Sequence, residues 1–494
     1  MRKFTLLSVM ASIVCVSVFA ESDVDARLKA MEDRLNKIEQ ENSDLKAAVK
    51  NVQKDELGAR VDDLEKSVFS NRITWGVGMK NMDDYFSGEY SNGTKYFNPN
   101  VMSTKLMLNM EAKVTDDMKF TGRLSMYKYW ANNLNTSAGD PMDGRRPGDS
   151  RMFAERAYVD WNAIKGSVPV TFTIGRQPSS DGPSHEYGDN TVRKSTYSAL
   201  AFDGAADGIV TTFDFEKLTG ISNAAVRVAY GKGYQNDACT GLGCSATGMG
   251  YNGVADTTIY GLFIDGSIPY VDNSLVQVGV VRAIDVYNPQ GAYRDNATGA
   301  MTHITPANLA VASQALGGAS VYGVQSGGNV TIMGMMAEAT NIKDSGLDAF
   351  AHYGVSKSTP RAGVTGMYGS QIDGSGDAYW AGARYDISRL ISGAGKFGYE
   401  YNHGSKNWVN FTQGSDDITN KLATRGSVHD VYYLQPINRY AFFKIGYENI
   451  KYDYTGSGMF WGTPVATNSA QAQGMGAFAL KNLQDIYAQF NLQY

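Results

Sequence analysis

The sequence predicts an all-β transmembrane β-barrel of 16–18 antiparallel strands, best counted as eighteen, preceded by an α-helical coiled coil. Three observations predict it. Segments of roughly ten residues alternate apolar and polar side chains from about Arg72 to residue 494. Their connections alternate short with long. The final segment, DIYAQFNLQY, keeps the alternation to Tyr494, its last and aromatic residue. A barrel in a bilayer has this signature, because backbone groups in hydrocarbon need partners and no strand can remain an edge.

The chain has 494 residues, of which 19% are charged, with 54 Gly, 30 Tyr and 12 Pro, and its mean hydropathy is −0.30. Beyond the first twenty residues there is no run of eighteen apolar residues, which excludes a bundle of membrane-crossing helices. Residues 1–20 have a cationic start at Arg2 and Lys3, an apolar stretch and a small residue at Ala20, the pattern of a secretory signal peptide. Removing them leaves 43 bases against 50 acids, so no basic footprint for nucleic acid is present. Cys239 and Cys244 then remain as a disulfide candidate, since an exported chain meets oxidising conditions and a lone C-x4-C pair makes a poor zinc site.

Residues 21–70 form the second region. Leu28, Met31, Leu35, Ile38, Asn42, Leu45, Val49 and Val52 are spaced alternately by three and four, an a/d seam with charges around it. The spacing breaks near Lys54–Gly58, and Leu57, Val61, Leu64 and Val68 begin a second seam. So narrow a seam implies self-association.

Residues 71–494 form the barrel. In KLMLNMEAKV, Leu106, Leu108, Met110, Ala112 and Val114 share one face. In KFTGRLSMYKYW, Phe120, Leu124 and Met126 oppose Lys119, Thr121, Arg123 and Ser125. Phe443, Ile445 and Tyr447 alternate with Lys444, Gly446 and Glu448. In the last strand Ile486, Ala488, Phe490, Leu492 and Tyr494 form the lipid face, and Tyr487 breaks the pattern. Short connections include TDDM, AIKGS, LTGIS and QPINR; long ones lie near 83–102, 131–150, 178–206, 234–254, 287–317, 409–427 and 455–480. The count is eighteen if residues 363–371 and a weaker segment near 319–326 are strands, and sixteen if they are not. Parity places Lys105, Glu111, Lys113, Arg123, Arg156, Asp160, Arg227, Arg384, Asp386, Lys444 and Glu448 on the inner face as pore-lining candidates. Seven bases against four acids make that wall mildly basic.

Signal peptide, heptads, strand repeat and terminal Tyr494 together resemble a bacterial outer-membrane porin-like family with an N-terminal periplasmic coiled coil, of the type found in epsilonproteobacteria and some deltaproteobacteria. The resemblance implies a cell outer-membrane location with the coiled coil in the periplasm. It implies contact with outer-membrane lipid, a homo-oligomer (a trimer, by likeness to trimeric porins), and hand-over to the barrel assembly machinery through the C-terminal strand. It further implies that the connection at 178–206 folds inward as a constriction, with Asp181, Glu186, Asp189, Arg193 and Lys194 available. The function so read is passive diffusion of small hydrophilic solutes or ions. The alternatives are a selective transporter, for example of a chelated metal, a barrel sheath for an electron-transfer partner, and an adhesive barrel. No enzyme, cofactor or metal site is expected. His403 and Ser405 match an outer-membrane phospholipase only as H-x-S, and DGSGD (373–377) lacks the bidentate Glu of a calcium loop.

Overall fold

The computed structural model describes residues 29–46, 73–130, 152–179, 182–191, 193, 197–235, 256–288, 292–294, 301–303, 325–326, 328–360, 374–412, 415–457 and 464–494. The chain divides into two units, Met1–Arg72 and Ile73–Tyr494. In the first, residues 29–46 form one helix with Met31, Leu35, Ile38 and Leu45 all exposed. The signal segment and the second seam lie outside the described residues, as do Cys239 and Cys244.

The second unit is a closed antiparallel barrel. Its first nine strands are β1 (Ile73–Tyr90), β2 (Lys95–Lys113), β3 (Met118–Tyr129), β4 (Met152–Ile164), β5 (Val170–Ser179), β6 (Gly204–Asp214), β7 (Ala225–Tyr234), β8 (Thr257–Gly266) and β9 (Ser274–Ile284). Four short strands follow in the long ninth connection: β10 (Tyr287–Asn288), β11 (Ala292–Arg294), β12 (Met301–His303) and β13 (Gln325–Ser326). The barrel resumes with β14 (Gly328–Ala339), β15 (Leu347–Pro360), β16 (Gly374–Asp386), β17 (Lys396–Gly404), β18 (Gly426–Pro436), β19 (Ala441–Tyr452) and β20 (Leu480–Gln493). Each pairs with its neighbours in this order, and β20 closes on β1. Tyr494 belongs to the closure: its N–H donates to the Val77 carbonyl at 2.8 Å and its carbonyl accepts from Val77 N–H at 2.7 Å.

The barrel therefore has sixteen strands, not eighteen. The segment near 319–326 contributes only Gln325–Ser326, which pairs with Tyr287–Asn288 away from the barrel. Residues 363–371 lie outside the described residues, and the direct β15–β16 ladder, from Leu347↔Tyr385 to Ser358↔Gly374, leaves no place for a strand between them. The expected long connection at 83–102 is also corrected. β1 and β2 stay paired to Glu89↔Lys95 and are joined by a turn at 91–94.

Outward side chains are apolar: Val228, Leu262, Val278, Met335, Ile445 and Ile486 are all exposed, the last two on faces the alternation predicts. The interior is not uniformly polar. On the β9 and β14–β16 side, Ala283, Val330, Ile332, Phe350, Ala378 and Trp380 point inward and are buried. Two connections pack on this apolar patch. The β5–β6 connection contributes Tyr187, Ala199 and Leu200, and the β17–β18 connection contributes Trp408, Val409 and Leu422. A wall facing water alone would not need that patch; folding two connections onto it hides apolar surface from the lumen.

Candidate functional site

The site is built from these two in-folded connections and the charged wall that adjoins the apolar patch. The β5–β6 connection carries the short helix His185–Asp189. It is fastened at several points. Ser184 Oγ donates to Glu338 at 2.6 Å and lies 3.0 Å from His352 Nε2. Ser198 Oγ lies 2.7 Å from His352 Nδ1. Arg384 donates to the Tyr187 carbonyl at 2.6 Å while paired with Asp348 at 2.7 Å. Lys80 on β1 meets Asp189 at 3.0 Å. Ser184 is fully buried and both His352 ring nitrogens face serine hydroxyls, so this Ser–His–Glu group holds the connection to the wall.

The β17–β18 connection is held as firmly. Asp416 meets Lys105 at 2.8 Å and also bonds Tyr127. Lys421 lies 3.0 Å from Glu400 and 2.5 Å from Asp430. Thr419 donates to Glu448 at 2.7 Å. The two connections are joined to each other by Asp203 N–H to Phe411 O at 2.7 Å and Phe411 N–H to Ala201 O at 3.0 Å.

Burial and charge shift the titrating groups of these connections. Burial pushes His185 down, but Asp203 at 3.0 Å outweighs it and the imidazole is raised to about 9. Burial, with the charge of Glu338, raises Glu186 to about 8. Burial also opposes the charge on Lys421, yet Asp430 and Glu400 hold it well above the ordinary lysine value.

Beside the patch, four carboxylates on the next four strands face one another directly: Glu400↔Asp430, Asp430↔Glu448 and Glu448↔Asp485. Like charges directly across a sheet repel. Lys421 compensates the first two; among the described residues no cation lies in ion-pair range of Glu448 or Asp485. Lys444 points inward from β19, its Nζ 4.7 Å from the Tyr432 ring centroid and 5.1 Å from that of Tyr487. Gly398 and Gly446 make room for those rings, since a Cβ at either would come within 2.2 Å of the tyrosine beside it. Between the two connections and this wall lies a cavity of about 770 Å³, including the solvent at its mouth.

The predicted residues fall into three groups. Lys105, Arg123, Arg156, Arg227, Arg384, Lys444 and Glu448 face the interior; Lys105, Arg384 and Glu448 hold the in-folded connections. Glu111 pairs with Lys119, Lys113 with Asp116 in the β2–β3 turn, Asp160 with Thr173, and Asp386 with Ser388 in the β16–β17 turn. In the predicted constriction, Glu186 is buried, Asp189 meets Lys80, and Arg193 lies 3.6 Å from Glu338; Asp181 and Lys194 fall outside the described residues.

The mildly basic wall is corrected. Arg123 meets Glu155 at 3.1 Å, Arg227 pairs with Asp265, and Arg384 pairs with Asp348. Parity missed Glu155 because pairing jumps from Arg123↔Arg156 to Leu124↔Ala154, a bulge that leaves Glu155 and Arg156 both facing inward. It passed over Glu400, Asp430 and Asp485, although they lie in phase with inward residues. The role of Asp416 and Lys421 has no signal in a strand period, because they belong to a connection.

A family described as "Protein of unknown function (DUF3373)" matches residues 95–494. None of the curated proteins matches the chain in sequence. Among solved structures it is similar to OprB of Pseudomonas putida, at 13% identity and a TM-score of 0.47 over 87% of this chain and 96% of that one. It is also similar to OmpF of Salmonella typhi in complex with daunomycin, at 10% identity and a TM-score of 0.45 over 86% and 99% of the two chains. A third is OmpT of Vibrio cholerae, an outer membrane protein, at 11% identity and a TM-score of 0.43 over 85% and 97%.

Proposed function

The chain belongs to the DUF3373 family, and we propose that its barrel is an outer-membrane channel through which small hydrophilic solutes or ions diffuse passively. The observation that carries this reading is the division of the interior. On β9 and β14–β16 an apolar patch is covered by two in-folded connections, and on the adjoining β17–β20 charged side chains face a cavity of about 770 Å³. A barrel that served only as a scaffold would have no use for a charged, solvated interior beside a covered apolar one.

In this reading the exposed outer band meets lipid, and the closed ladder satisfies the backbone within hydrocarbon. The two fastened connections narrow the lumen. Solutes pass along the wall formed by β17–β20 and β1, where fixed charges filter them by sign and contact. Residues 21–70 associate as a periplasmic coiled coil and make the protein a homo-oligomer, with a trimer as the working stoichiometry. The C-terminal strand, which closes the barrel, is the part offered to the assembly machinery.

Liposomes containing the purified, heat-modifiable barrel should swell in isotonic solutions of small sugars, and swell less as the sugar grows. Liposomes that hold folded barrel yet fail to swell in the smallest sugar or in simple salts would overturn the channel reading.

A further inference from the structure

The charged wall of the lumen has two unmet charges of opposite sign. The first is the carboxylate pair at the end of the acidic row. Glu448 and Asp485 lie directly opposite each other on β19 and β20; Glu448 accepts from the Thr419 hydroxyl and Asp485 from Tyr85 N–H. Neither has a cation in ion-pair range among the described residues. Asp84 hydrogen-bonds Asp485, so that pair shares one proton, and Asp417 lies close by with the same sign. The second is Lys444. Its residue is 7% exposed, it lines the same cavity, and among the described residues it has no hydrogen bond or ion pair; it packs on the faces of Tyr432 and Tyr487, with Asp430, Asp189 and Glu400 beyond ion-pair distance. The other two lysines of the cavity are engaged, Lys80 with Asp189 and Asp416, and Lys421 with Glu400 and Asp430.

Lys444 and Glu448 are on one face of one strand, four residues apart, about 14 Å along the backbone. The lysine side chain spans part of that distance. A metal ion or simple amine would neutralise the carboxylates and leave Lys444 bare. A simple anion would meet Lys444 but enter a cavity whose remaining charge is predominantly acidic. A molecule carrying an ammonium at one end and a carboxylate at the other meets both.

We propose that this cavity binds small zwitterions of amino-acid to dipeptide size, the carboxylate on Lys444 Nζ and the ammonium on the Glu448–Asp485 pair. The proposal rests on the channel reading and names its preferred solute. The tyrosine pair holds the ammonium of Lys444 in place, with glycine at 398 and 446 giving the rings their room. Lys421 pairs with Glu400 and Asp430, so that Glu448 and Asp485 are the members of the row left open to a ligand's cation.

Currents through the full-length protein in planar bilayers should be blocked by diglycine with an apparent affinity about tenfold tighter than by acetate or ethylammonium at the same ionic strength, because only diglycine makes both charge-assisted contacts. Lys444→Met and Glu448→Gln, each scored against its own open current, should bring diglycine down to the level of the single-charge probes. Lys113→Gln, an exposed turn substitution, should leave the block unchanged. Block by ethylammonium as strong as by diglycine, insensitive to Lys444→Met, would reduce the site to an acidic cation filter and overturn the proposal. So would current that diglycine leaves untouched. Calorimetry with the same three probes on the detergent-solubilised wild-type chain needs no variant to fold. Tight diglycine binding without channel current would keep the site and sink the channel; current without binding would do the reverse.

Discussion

Lys421 fastens the β17–β18 connection to two buried carboxylates of the wall, and replacing it with methionine should release that connection. The side chain lies 3.0 Å from Glu400 and 2.5 Å from Asp430, and all three residues are buried. Glu400 and Asp430 are directly opposed on adjacent strands, which puts their Cβ atoms about 5 Å apart. At that separation, with an effective dielectric near 20, two like charges repel by about 3 kcal/mol. Removing one partner of a buried ion pair costs about 3–5 kcal/mol, so the two figures agree. The assay is the modification rate of a reporter cysteine, Ser415→Cys, in a background with Cys239 and Cys244 replaced by serine. If docking is lost by about 3 kcal/mol, labelling should speed up on the order of 100-fold. Adding Glu400→Gln and Asp430→Asn to Lys421→Met should recover most of the protection, since it removes the stranded charges. A labelling rate in Lys421→Met within twofold of the parent would refute the reasoning. A triple variant as loose as the single one would show that Lys421 acts by packing and not by charge.

Ile445 is 59% exposed at the middle of β19; Ile445→Arg should lower folding stability in vesicles by about 2–4 kcal/mol, and Ile445→Leu should leave it nearly unchanged. The docking of the β5–β6 connection should depend on pH. His185, raised to about 9 from an ordinary 6.5, contributes stability below pH 6.5 that is lost as pH rises toward 9. Glu186, raised to about 8 from 4.5, keeps its proton when docked and so works in the same direction, weakening docking between pH 4.5 and 8. Hydrogen exchange of this connection should therefore quicken as pH rises from 6 to 9 beyond the intrinsic rate, and His185→Gln with Glu186→Gln should flatten that excess; an excess that survives both changes assigns the effect elsewhere. A peptide of residues 21–70 should be helical with a melting temperature that rises with concentration, and Leu35→Asp with Leu45→Asp should abolish the association.

Much of the barrel was legible because a closed wall with an apolar outer face imposes a period of two on its strands. Phe443, Ile445 and Tyr447 alternate with Lys444 and Glu448 in the sequence, and the structure places the first set outside and the second inside. Tyr487, which broke the pattern in the last strand, faces inward and donates to Asp430 at 2.8 Å. The strand period fails where the backbone leaves it. At Glu155 a bulge places two consecutive residues inward, and a strict alternation hides the carboxylate that neutralises Arg123 and Arg156. Between Asp84 and Val101 the side chains give no clean alternation, yet β1 and β2 remain paired through a bulge at Asp84/Phe86, so backbone pairing outlasts the apolar signal. The interior of the candidate site was the least legible part. Asp416 and Lys105 are 311 residues apart, and nothing local to DDITNKLA marks a connection that turns inward. The local mark is the apolar content of WVNF beside it: Trp408 and Val409 lie outside the alternating strands, and they are buried on the apolar patch of the inner wall.

The claim on which the account rests is that the lumen conducts although two connections fold into it. The direct measurement is single-channel current from the full-length protein in planar bilayers, compared with a variant in which part of the β5–β6 connection is replaced by a short glycine–serine bridge. The account predicts discrete, ohmic current steps for the parent and larger steps for the variant. Folded protein that inserts and gives no steps, with steps appearing only when the connection is removed, would show that the in-folded connections seal the barrel and would contradict the account.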